Sequence, residues 1–418
     1  MPNKKDLPGP GDFTLAAVVI GLVIFGIVMV FSASSYDALS ELDDPYYYLK
    51  LVSKNAALGV AAMLAAALVP LRRLYSLSPL ILIFCFVLLL LLFTPLGETR
   101  NNATRWIPIM GFTIMPGEIA KIGAILFVAW FLCRDAGRIR SFGRGVLPLL
   151  LLCGALFAPI YKQPNLSTAI TVCAIILAMM FIAGMSLAHV GWIGAAAASA
   201  VAFLIVSDGS GYQMSRISGF LNPFENPQGS GYQVMQSLLG LGAGGVFGVG
   251  LGKSIQKAMY LPEGHNDFIL AIIGEELGLV GCILLLAAYM LLIYRGAYIA
   301  IRSPSRFGTL VAAGITVMFA MQVVMNVLVV TAWMPPTGVA LPFVSYGGNA
   351  LTIYMGLAGI LLNVSRYMDR GAAASGAGGD GEAAGEAAGG AGGGAPPIME
   401  LGAAPGAGFR PARRRAAR

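Results

Sequence analysis

Charged residues are scarce in this sequence. Asp, Glu, Lys and Arg make up 11% of its 418 residues, whereas soluble domains carry about 25%. This scarcity, together with 57% hydrophobic residues and a mean hydropathy of +0.78, excludes an ordinary soluble domain. The five cysteines lie inside apolar runs and lack the spacing of metal ligands, so we interpret them as small core hydrophobes.

The sequence contains many long apolar runs. Ten of them span, or nearly span, a hydrocarbon layer of about 30 Å. They cover residues 13–33, 54–70, 78–96, 116–133, 146–161, 167–184, 187–207, 267–294, 308–333 and 346–365. The sequence therefore predicts an all-α polytopic membrane protein with about ten transmembrane helices and a large extracellular loop between helices 7 and 8.

Basic residues indicate the orientation of the chain. Most Lys and Arg residues fall on the same side of the predicted membrane as the two chain termini. The acidic loop Asp37–Asp44 falls on the other side. By the positive-inside rule both termini are cytoplasmic, and the net charge of +7 reflects basic loops rather than nucleic-acid binding. The predicted segments are a cytoplasmic N-terminus at 1–12, a transmembrane domain at 13–367 with its extracellular loop at 208–266, and a disordered Gly/Ala-rich cytoplasmic tail at 368–418.

Several basic residues lie on the outer side against this bias. Arg105, Lys121, Arg216, Lys253 and Lys257 all fall in or near outward-facing connections. For any one of them, loop solvation or contact with lipid headgroups is a sufficient explanation. Their convergence favours an anionic ligand on the outer side.

The connection Ser207–Asn266 is too long for a plain turn. Its amphipathic pieces, Arg216–Phe224 and Tyr232–Leu241, predict ordered re-entrant or interfacial elements. At its end, a proline and a glycine break any helix just before Asp267, which is predicted at the outer N-terminus of a transmembrane helix. Either Asn266 or Asp267 caps that helix and complements its dipole, or Asp267 acts as a partly desolvated general base, with Glu263 and His265, in a polar active site.

Two further pairs of charges lie in or beside apolar helices. Glu118 and Lys121 are three residues apart and share a helix face. They either form an ion pair that fixes packing or offer Lys121 to a phosphate. Glu275 and Glu276 lie deeper in the helix that follows Asp267, and a structural role in pairing or capping is predicted for them.

A loop rich in proline and glycine, at 335–349, joins the last two predicted helices. Irregular backbone at membrane depth is tolerated only where protein buries it or where it lines a cavity. Ser345 and its polar neighbours are therefore predicted to form a cavity wall beside Asp267.

Four longer segments carry a recognisable pattern. They read RWIPIMGFTIMPGEIAK, FLNPFENPQGSGYQVMQS, GVGLGKSIQKAMYLPEGHNDFI and PTGVALPFVSYGGNAL, in that order within 13–367. Together they resemble the SEDS family (shape, elongation, division and sporulation), and they are more similar to its FtsW/SpoVE-like division and sporulation branch than to its RodA-like branch. The chain departs from the family's QPDxGTA, QPSE, SYGGSS and HTDF motifs, which read QPNLSTA, MPGE, SYGGNA and HNDF here.

The resemblance implies a peptidoglycan glycosyltransferase of the bacterial cell membrane. Such an enzyme polymerises lipid II, a disaccharide-pentapeptide on undecaprenyl pyrophosphate, with a class B penicillin-binding protein in a division or elongation complex. The family's essential acid falls on Asp267, and we expect an inverting reaction in which outer cations, with a divalent Mg or Mn as an optional co-ligand, stabilise the pyrophosphate. The predicted substrate-binding residues are Arg105, Glu118, Lys121, Arg216, Lys253, Lys257, Glu263, His265 and Ser345.

Two other functions stay open from the residues alone. A flippase for the same lipid also fits ten helices, broken segments and buried charges, although the polar residues gather at the outer face. A non-catalytic scaffold for a penicillin-binding protein would leave the outer acid and base cluster without a purpose. Substitution of Asp267 separates an enzyme from a scaffold.

Overall fold

The computed structural model describes residues 9–100, 103–109, 112–135, 137–207, 211–221, 223–224, 231–258 and 260–368. The predicted disordered tail, apart from its first residue, and most of the predicted N-terminal segment lie outside the described residues.

Helices dominate the described part of the chain. In order they are α1 (Phe13–Leu42), α2 (Tyr47–Leu68), α3 (Leu71–Leu91), α4 (Pro116–Cys133), α5 (Leu147–Lys162), α6 (Leu166–Ile182), α7 (Leu187–Val206), α8 (Tyr212–Leu221), α9 (Tyr232–Gly244), α10 (Ile269–Arg302), α11 (Arg306–Val330) and α12 (Ala350–Ser365). Eight of the described helices, α5 counted with the π-helical turn before it, are long and apolar enough to cross a membrane, and α6 and α12 are apolar but shorter. Each of the ten predicted runs overlaps one of these ten helices, so the prediction of a helical, multi-pass membrane protein is confirmed.

The first helix is longer than its apolar run. α1 continues to Leu42, so the prediction that the chain forms a loop from Asp37 onward is wrong. Asp37 instead lies on the last turns of a helix, because polar residues prolong a helix that an apolar run has already begun. This extension carries the Asp37 carboxylate towards the turn that holds His265, 3.8 Å from the histidine Nδ1.

The other end of α1 joins the first helix to the last one. The Asp12 side chain caps α1 and bonds to the guanidinium of Arg295 in α10, with 3.0 Å between Asp12 Oδ2 and Arg295 Nε. The Asp12 amide donates to Ser365 Oγ at 2.9 Å, at the end of α12. These bonds hold α1, α10 and α12 together at one end of the bundle.

A small antiparallel sheet lies between α3 and α4 and was not predicted. Its strands are β1 (Glu98–Arg100), β2 (Ala103–Ile109) and β3 (Phe112–Ile114), paired in that order. Ile107 of β2 faces Ile114 of β3 in the register, and β3 runs directly into α4. The sheet therefore places Arg105, in β2, close to the beginning of α4.

The described part of the connection between α7 and α10 is ordered, as predicted. α8 and α9 lie where the amphipathic pieces fall, and residues 245–258, here called the hook, then pack against a break in α10 at Gly278. The Val249 amide donates to the Glu275 carbonyl at 2.9 Å, and the Leu279 amide donates to the Gly245 carbonyl at 3.0 Å. Gly278 has a φ of +67°, and a Cβ there would lie 2.3 Å from the Gly248 nitrogen, so this contact requires glycine.

Candidate active site

Asp267 lies in the turn that leads into α10. Glu263 begins this turn with a left-handed φ of +56°, and its carbonyl accepts hydrogen bonds from the amides of Asn266 (3.0 Å) and Phe268 (3.4 Å). Phe268 is the N-cap of α10, and within the described residues no side chain caps that helix. Asp267 is therefore placed as predicted, but the capping interpretation is wrong, because the turn is closed by backbone hydrogen bonds.

The loop at residues 331–349, here called the wall loop, lies beside the Asp267 carboxylate. Gly338 has a φ of +69°, and a Cβ on it would lie 3.3 Å from Asp267 Oδ2. Asn326 of α11 donates to the Asp267 carbonyl at 2.7 Å and to the Val339 carbonyl at 2.9 Å. The loop that the sequence predicted beside Asp267 thus lies next to it and is bonded to α11, and its role as a cavity wall stays a prediction.

Two of the predicted basic residues act electrostatically on the Asp267 carboxylate, Arg105 and Arg216. Arg216 of α8 donates to the Pro336 carbonyl of the wall loop at 3.0 Å. Arg105 donates to the Gln163 carbonyl at 3.3 Å and also to the carbonyl of the next residue. Backbone carbonyls from two different connections therefore orient both guanidiniums on the side of the molecule that holds Asp267.

The surroundings of Asp267 raise the pKa of its carboxyl to about 7. Burial is the main cause, because it disfavours the charged form, and the negative charge of Glu263 adds to it. Arg216 and Arg105 act in the opposite direction and keep the rise moderate. A carboxyl group with this pKa can accept a proton near neutral pH.

His265 lies in an aromatic cluster next to the same turn. Its ring centroid is 4.7 Å from that of Tyr48 and 5.7 Å from that of Tyr346, and its carbonyl accepts from the Tyr346 amide at 3.0 Å. Burial lowers the pKa of His265, which favours the neutral ring. His265 therefore connects α2 and the wall loop to the Asp267 turn, and its predicted contact with substrate stays a prediction.

Glu118 and Lys121 form a buried ion pair in α4, with 2.7 Å between Lys121 Nζ and Glu118 Oε1. The Tyr354 hydroxyl of α12 donates to Glu118 Oε2 at 2.9 Å, and Gln322 Nε2 of α11 donates to the Tyr354 oxygen at 3.0 Å. This network joins three helices, so of the two alternatives left open by the sequence, the geometry favours the ion pair that fixes packing.

The hook surrounds the two buried glutamates of α10. Glu275 accepts from the Ile255 amide at 2.8 Å, and Glu276 accepts from Ser32 Oγ at 2.7 Å and pairs with Lys257 Nζ at 3.1 Å. The predicted structural role of both glutamates, in capping and in pairing, agrees with these contacts.

The two predicted lysines of the hook differ in their surroundings. Lys257 neutralises a carboxylate whose side chain is 0% exposed, and removing one partner of such a pair costs about 3–5 kcal/mol. Lys253 is exposed. The charges that act on the Asp267 carboxyl are those of Glu263, Arg216 and Arg105. The structure thus brings these three residues to Asp267 and places Lys257 with Glu276 instead; for both lysines, substrate binding stays a prediction.

Ser345 stabilises the wall loop from within. Its buried Oγ accepts from the Leu341 amide at 2.8 Å. Hydrogen bonds also join the loop to neighbouring elements. Asn55 of α2 donates to the Gly348 carbonyl at 2.9 Å, and Asn349 donates to the Thr113 carbonyl of β3. The predicted Ser345 contact with substrate stays a prediction, and the contact observed is a hydrogen bond within the wall loop.

One departure from the family motifs has a structural explanation. Asn165 replaces the acid of the family motif at this position, and its Oδ1 accepts from the Thr168 amide at 3.3 Å at the start of α6. Asparagine and aspartate cap helices about equally well. The substitution therefore keeps the cap and removes a charge.

Sequence reasoning missed three polar residues of this region, Asn326, Gln322 and Tyr354. All three are buried and lie within runs that were treated as uniformly apolar. A signal was present, because Gln322 and Asn326 are four residues apart and share one face of α11. Polar side chains inside a membrane helix are costly and mark function.

The expected divalent cation has no assigned ligands in this structure. Among the residues described, no group of three or more His, Cys, Asp or Glu side chains could hold a metal ion. Mg²⁺ often binds through one or two carboxylates and the phosphates of a substrate, so the expectation of Mg or Mn stays a prediction, and no step proposed below depends on it.

These features define a multi-pass helical membrane protein with a half-buried carboxylate at the beginning of a long helix, on which the charges of two guanidiniums act. A family model described as cell cycle protein, which comprises FtsW, RodA and SpoVE, matches residues 13–370. The chain belongs to this family, and the resemblance to SEDS proteins is confirmed.

Relatives and solved structures agree with this assignment. Stage V sporulation protein E of Bacillus subtilis (strain 168) is 41% identical over 368 residues, covering 88% of this chain and 99% of its own length. A probable peptidoglycan glycosyltransferase FtsW of Geobacter metallireducens is 38% identical over 358 residues, covering 85% and 95%. A chain of a solved peptidoglycan synthase complex that coordinates polymerization and crosslinking has a TM-score of 0.71 at 25% identity and covers 86% of this chain and 99% of its own. The rod shape determining protein RodA of Thermus thermophilus has a TM-score of 0.63 at 26% identity, covering 86% and 98%.

Proposed function

We propose that this protein is a peptidoglycan glycosyltransferase that polymerises lipid II into β-1,4 glycan strands at the outer face of the cell membrane, during division. The observation that carries the proposal is the half-buried Asp267 carboxylate beside Gly338 of the wall loop, whose pKa is raised to about 7 by burial and by Glu263 and held down by Arg216 and Arg105. Relatives that are named probable peptidoglycan glycosyltransferases support the reaction type. A relative that acts in sporulation supports the division and sporulation branch.

In this proposal Asp267 is the general base of a single inverting displacement. The 4-hydroxyl oxygen of the acceptor sugar attacks the anomeric carbon of the donor while Asp267 takes the hydroxyl proton. The bond from that carbon to the pyrophosphate oxygen breaks, and undecaprenyl pyrophosphate leaves with the bonding pair. The donor linkage is α and the product β, so one displacement is sufficient.

The leaving pyrophosphate requires positive charge rather than a general acid. Arg105 and Arg216 are the predicted cations that the site supports best, because both act on the Asp267 carboxylate and both are fixed by backbone carbonyls. Oriented donors are effective in a site that excludes water, since they need no rearrangement during the reaction. Lys121 and Lys257 are engaged by buried glutamates and are secondary candidates.

We also propose that a class B penicillin-binding protein is the partner and that both termini are cytoplasmic. Likeness to a chain of a peptidoglycan synthase complex that couples polymerization to crosslinking supports such a partner. The basic residues on the connections opposite Asp267 support the orientation.

The decisive experiment uses full-length protein, alone and with a class B penicillin-binding protein, incubated with fluorescent lipid II. Glycan ladders on a gel are expected from the wild type. Asp267→Asn is expected to reduce the initial rate by about 10²–10⁴-fold, the usual contribution of a general base. Asp43→Asn, which removes an exposed carboxylate between α1 and α2, is the matched control and is expected to retain the wild-type rate.

Each outcome has one interpretation. Ladders at the wild-type rate from correctly folded Asp267→Asn would remove the assigned base. An absence of ladders from folded wild-type protein in complex with the synthase would contradict the polymerase. Transbilayer movement of lipid II in vesicles by that protein would then favour a flippase, and its absence a scaffold.

A further inference from the structure

We propose that Asn326 is a positioning residue that holds the Asp267 carboxylate against the wall loop, and this inference rests on the proposed function. Asn326 lies on α11 and is 1% exposed. Its side chain donates to backbone carbonyls, including that of Asp267, so its proposed effect on the reaction is indirect.

One amide nitrogen connects the two sides of the site. Asn326 Nδ2 donates to the Asp267 carbonyl at 2.7 Å and to the Val339 carbonyl at 2.9 Å. The first carbonyl belongs to the base itself, and the second follows Gly338, whose ideal Cβ position is 3.3 Å from Asp267 Oδ2. Both hydrogens of one NH₂ group therefore tie the backbone of Asp267 to the backbone of the wall loop, and the Asp267 side chain extends from that fixed backbone.

The orientation of the Asn326 amide follows from its partners. Both neighbours of Nδ2 are backbone carbonyls, which accept hydrogen bonds and cannot donate them, so the oxygen cannot occupy that position. Oδ1 then points elsewhere, and among the described residues it is buried without a hydrogen-bond partner. A buried acceptor without a partner costs free energy. The two hydrogen bonds that Nδ2 donates therefore fix the orientation of the Asn326 amide despite this cost.

The wall loop is held on both sides of Gly338. Arg216 donates to the Pro336 carbonyl at 3.0 Å on one side, and Asn326 donates to the Val339 carbonyl at 2.9 Å on the other. Arg216 belongs to α8, in the long connection, whereas Asn326 belongs to a membrane-spanning helix packed against α10. Of the two side chains that bond the wall loop on either side of Gly338, we therefore assign to Asn326 the role of the fixed support.

The test is a pair of variants on α11, assayed in the full-length protein with its penicillin-binding partner. Asn326→Leu keeps the side-chain size and removes both donors. The matched control, Thr316→Val, removes a buried hydroxyl that donates within the helix to the Ala312 carbonyl at 2.7 Å. Initial rates of lipid II polymerisation over a range of concentrations give kcat and KM, and thermal unfolding monitors the fold.

We expect kcat of Asn326→Leu to fall about 10²-fold, the effect of an Å-scale misplacement of a catalytic group, with KM unchanged and with Thr316→Val at the wild-type rate. A second readout separates positioning from a merely structural role. Gly338→Ala adds a Cβ beside Asp267 Oδ2, and its fold-loss of kcat is expected to be smaller in the Asn326→Leu background, because contacts that share a position are not additive.

Two outcomes would overturn the assignment. One is a wild-type kcat in folded Asn326→Leu, and the other is the same fold-loss from Gly338→Ala in both backgrounds. If Asn326→Leu does not fold, Asn326→Ser carries the same test, because its hydroxyl donates at most one hydrogen bond. Asp267→Asn and the wild type are assayed in parallel. If Asp267→Asn is inactive while Asn326→Leu is fully active, the positioning role fails and the polymerase stands, whereas an absence of glycan ladders from the folded wild type contradicts the polymerase. Ladders at the wild-type rate from Asp267→Asn would remove the assigned base and, with it, the positioning role.

Discussion

At the scale of single residues, the protonation of Asp267 is set by competing charges. Burial and Glu263 favour the neutral acid, whereas Arg216 and Arg105 favour the carboxylate, and the balance is a pKa of about 7. A pKa near the working pH suits a general base, because the ionised form is populated and still binds a proton strongly enough to remove it from a hydroxyl. In the proposed mechanism, the two guanidiniums that act on the base also stabilise the leaving pyrophosphate.

The rate of polymerisation is therefore expected to depend on pH. Only ionised Asp267 accepts a proton, so the rate rises with pH, is half-maximal near pH 7, and at pH 6 is about one-tenth of its plateau. This profile is measured from initial rates of lipid II polymerisation between about pH 5.5 and about pH 8.5, a range that brackets the midpoint. Glu263→Gln should move the midpoint to lower pH, and Arg216→Gln to higher pH. A midpoint near the ordinary aspartate value would contradict the assigned environment.

At the scale of elements, the length of the apolar runs was sufficient to predict the helices and insufficient to predict the contacts between them. The ten predicted runs each overlap a helix, because a membrane-spanning run of this length has few alternatives to helix. The sheet of β1, β2 and β3 was not predicted, because strands of three and seven residues are too short to show a clear alternation of apolar and polar residues. The contacts of Asn326 with Asp267 and Val339 depend on tertiary packing between α11, the turn and the wall loop, which a single sequence does not display.

The hook and the break in α10 were likewise not predicted from the sequence. Their contact depends on one glycine, Gly278. Gly278→Ala would place a Cβ 2.3 Å from the Gly248 nitrogen at a φ of +67°, so we expect a destabilisation of about 1–3 kcal/mol or more. Thermal unfolding of the purified protein measures it. Gly242→Ala is the matched control: this glycine is in helix α9, a Cβ there meets nothing within 4 Å, and helix propensity favours alanine by about 1 kcal/mol. Equal shifts in Tm for the two variants would contradict the hook contact.

At the scale of the whole molecule, α10 connects two differently built ends. Asp267 and the wall loop lie at its beginning, and towards its other end Arg295 binds Asp12, which also bonds to Ser365. The break at Gly278 divides α10, and the part after it, from Leu279 to Arg302, is about 36 Å long at about 1.5 Å per residue, longer than a hydrocarbon layer of about 30 Å. We therefore expect the two ends of α10 on opposite sides of the membrane, with Asp12 at the end opposite the site.

This arrangement predicts which end faces outward. Basic residues cluster where α10 ends and α11 begins, at Arg295, Arg302 and Arg306, so that end is expected in the cytoplasm. In intact cells a membrane-impermeant maleimide should label Glu263→Cys, an exposed position of the Asp267 turn, and should not label Arg302→Cys, an exposed position at the other end of α10. Permeabilised cells should label both, and the wild type gives the background, since its native cysteines are buried or half-buried. Labelling of Arg302→Cys alone in intact cells would place the Asp267 site in the cytoplasm, where an outer-face polymerase cannot work.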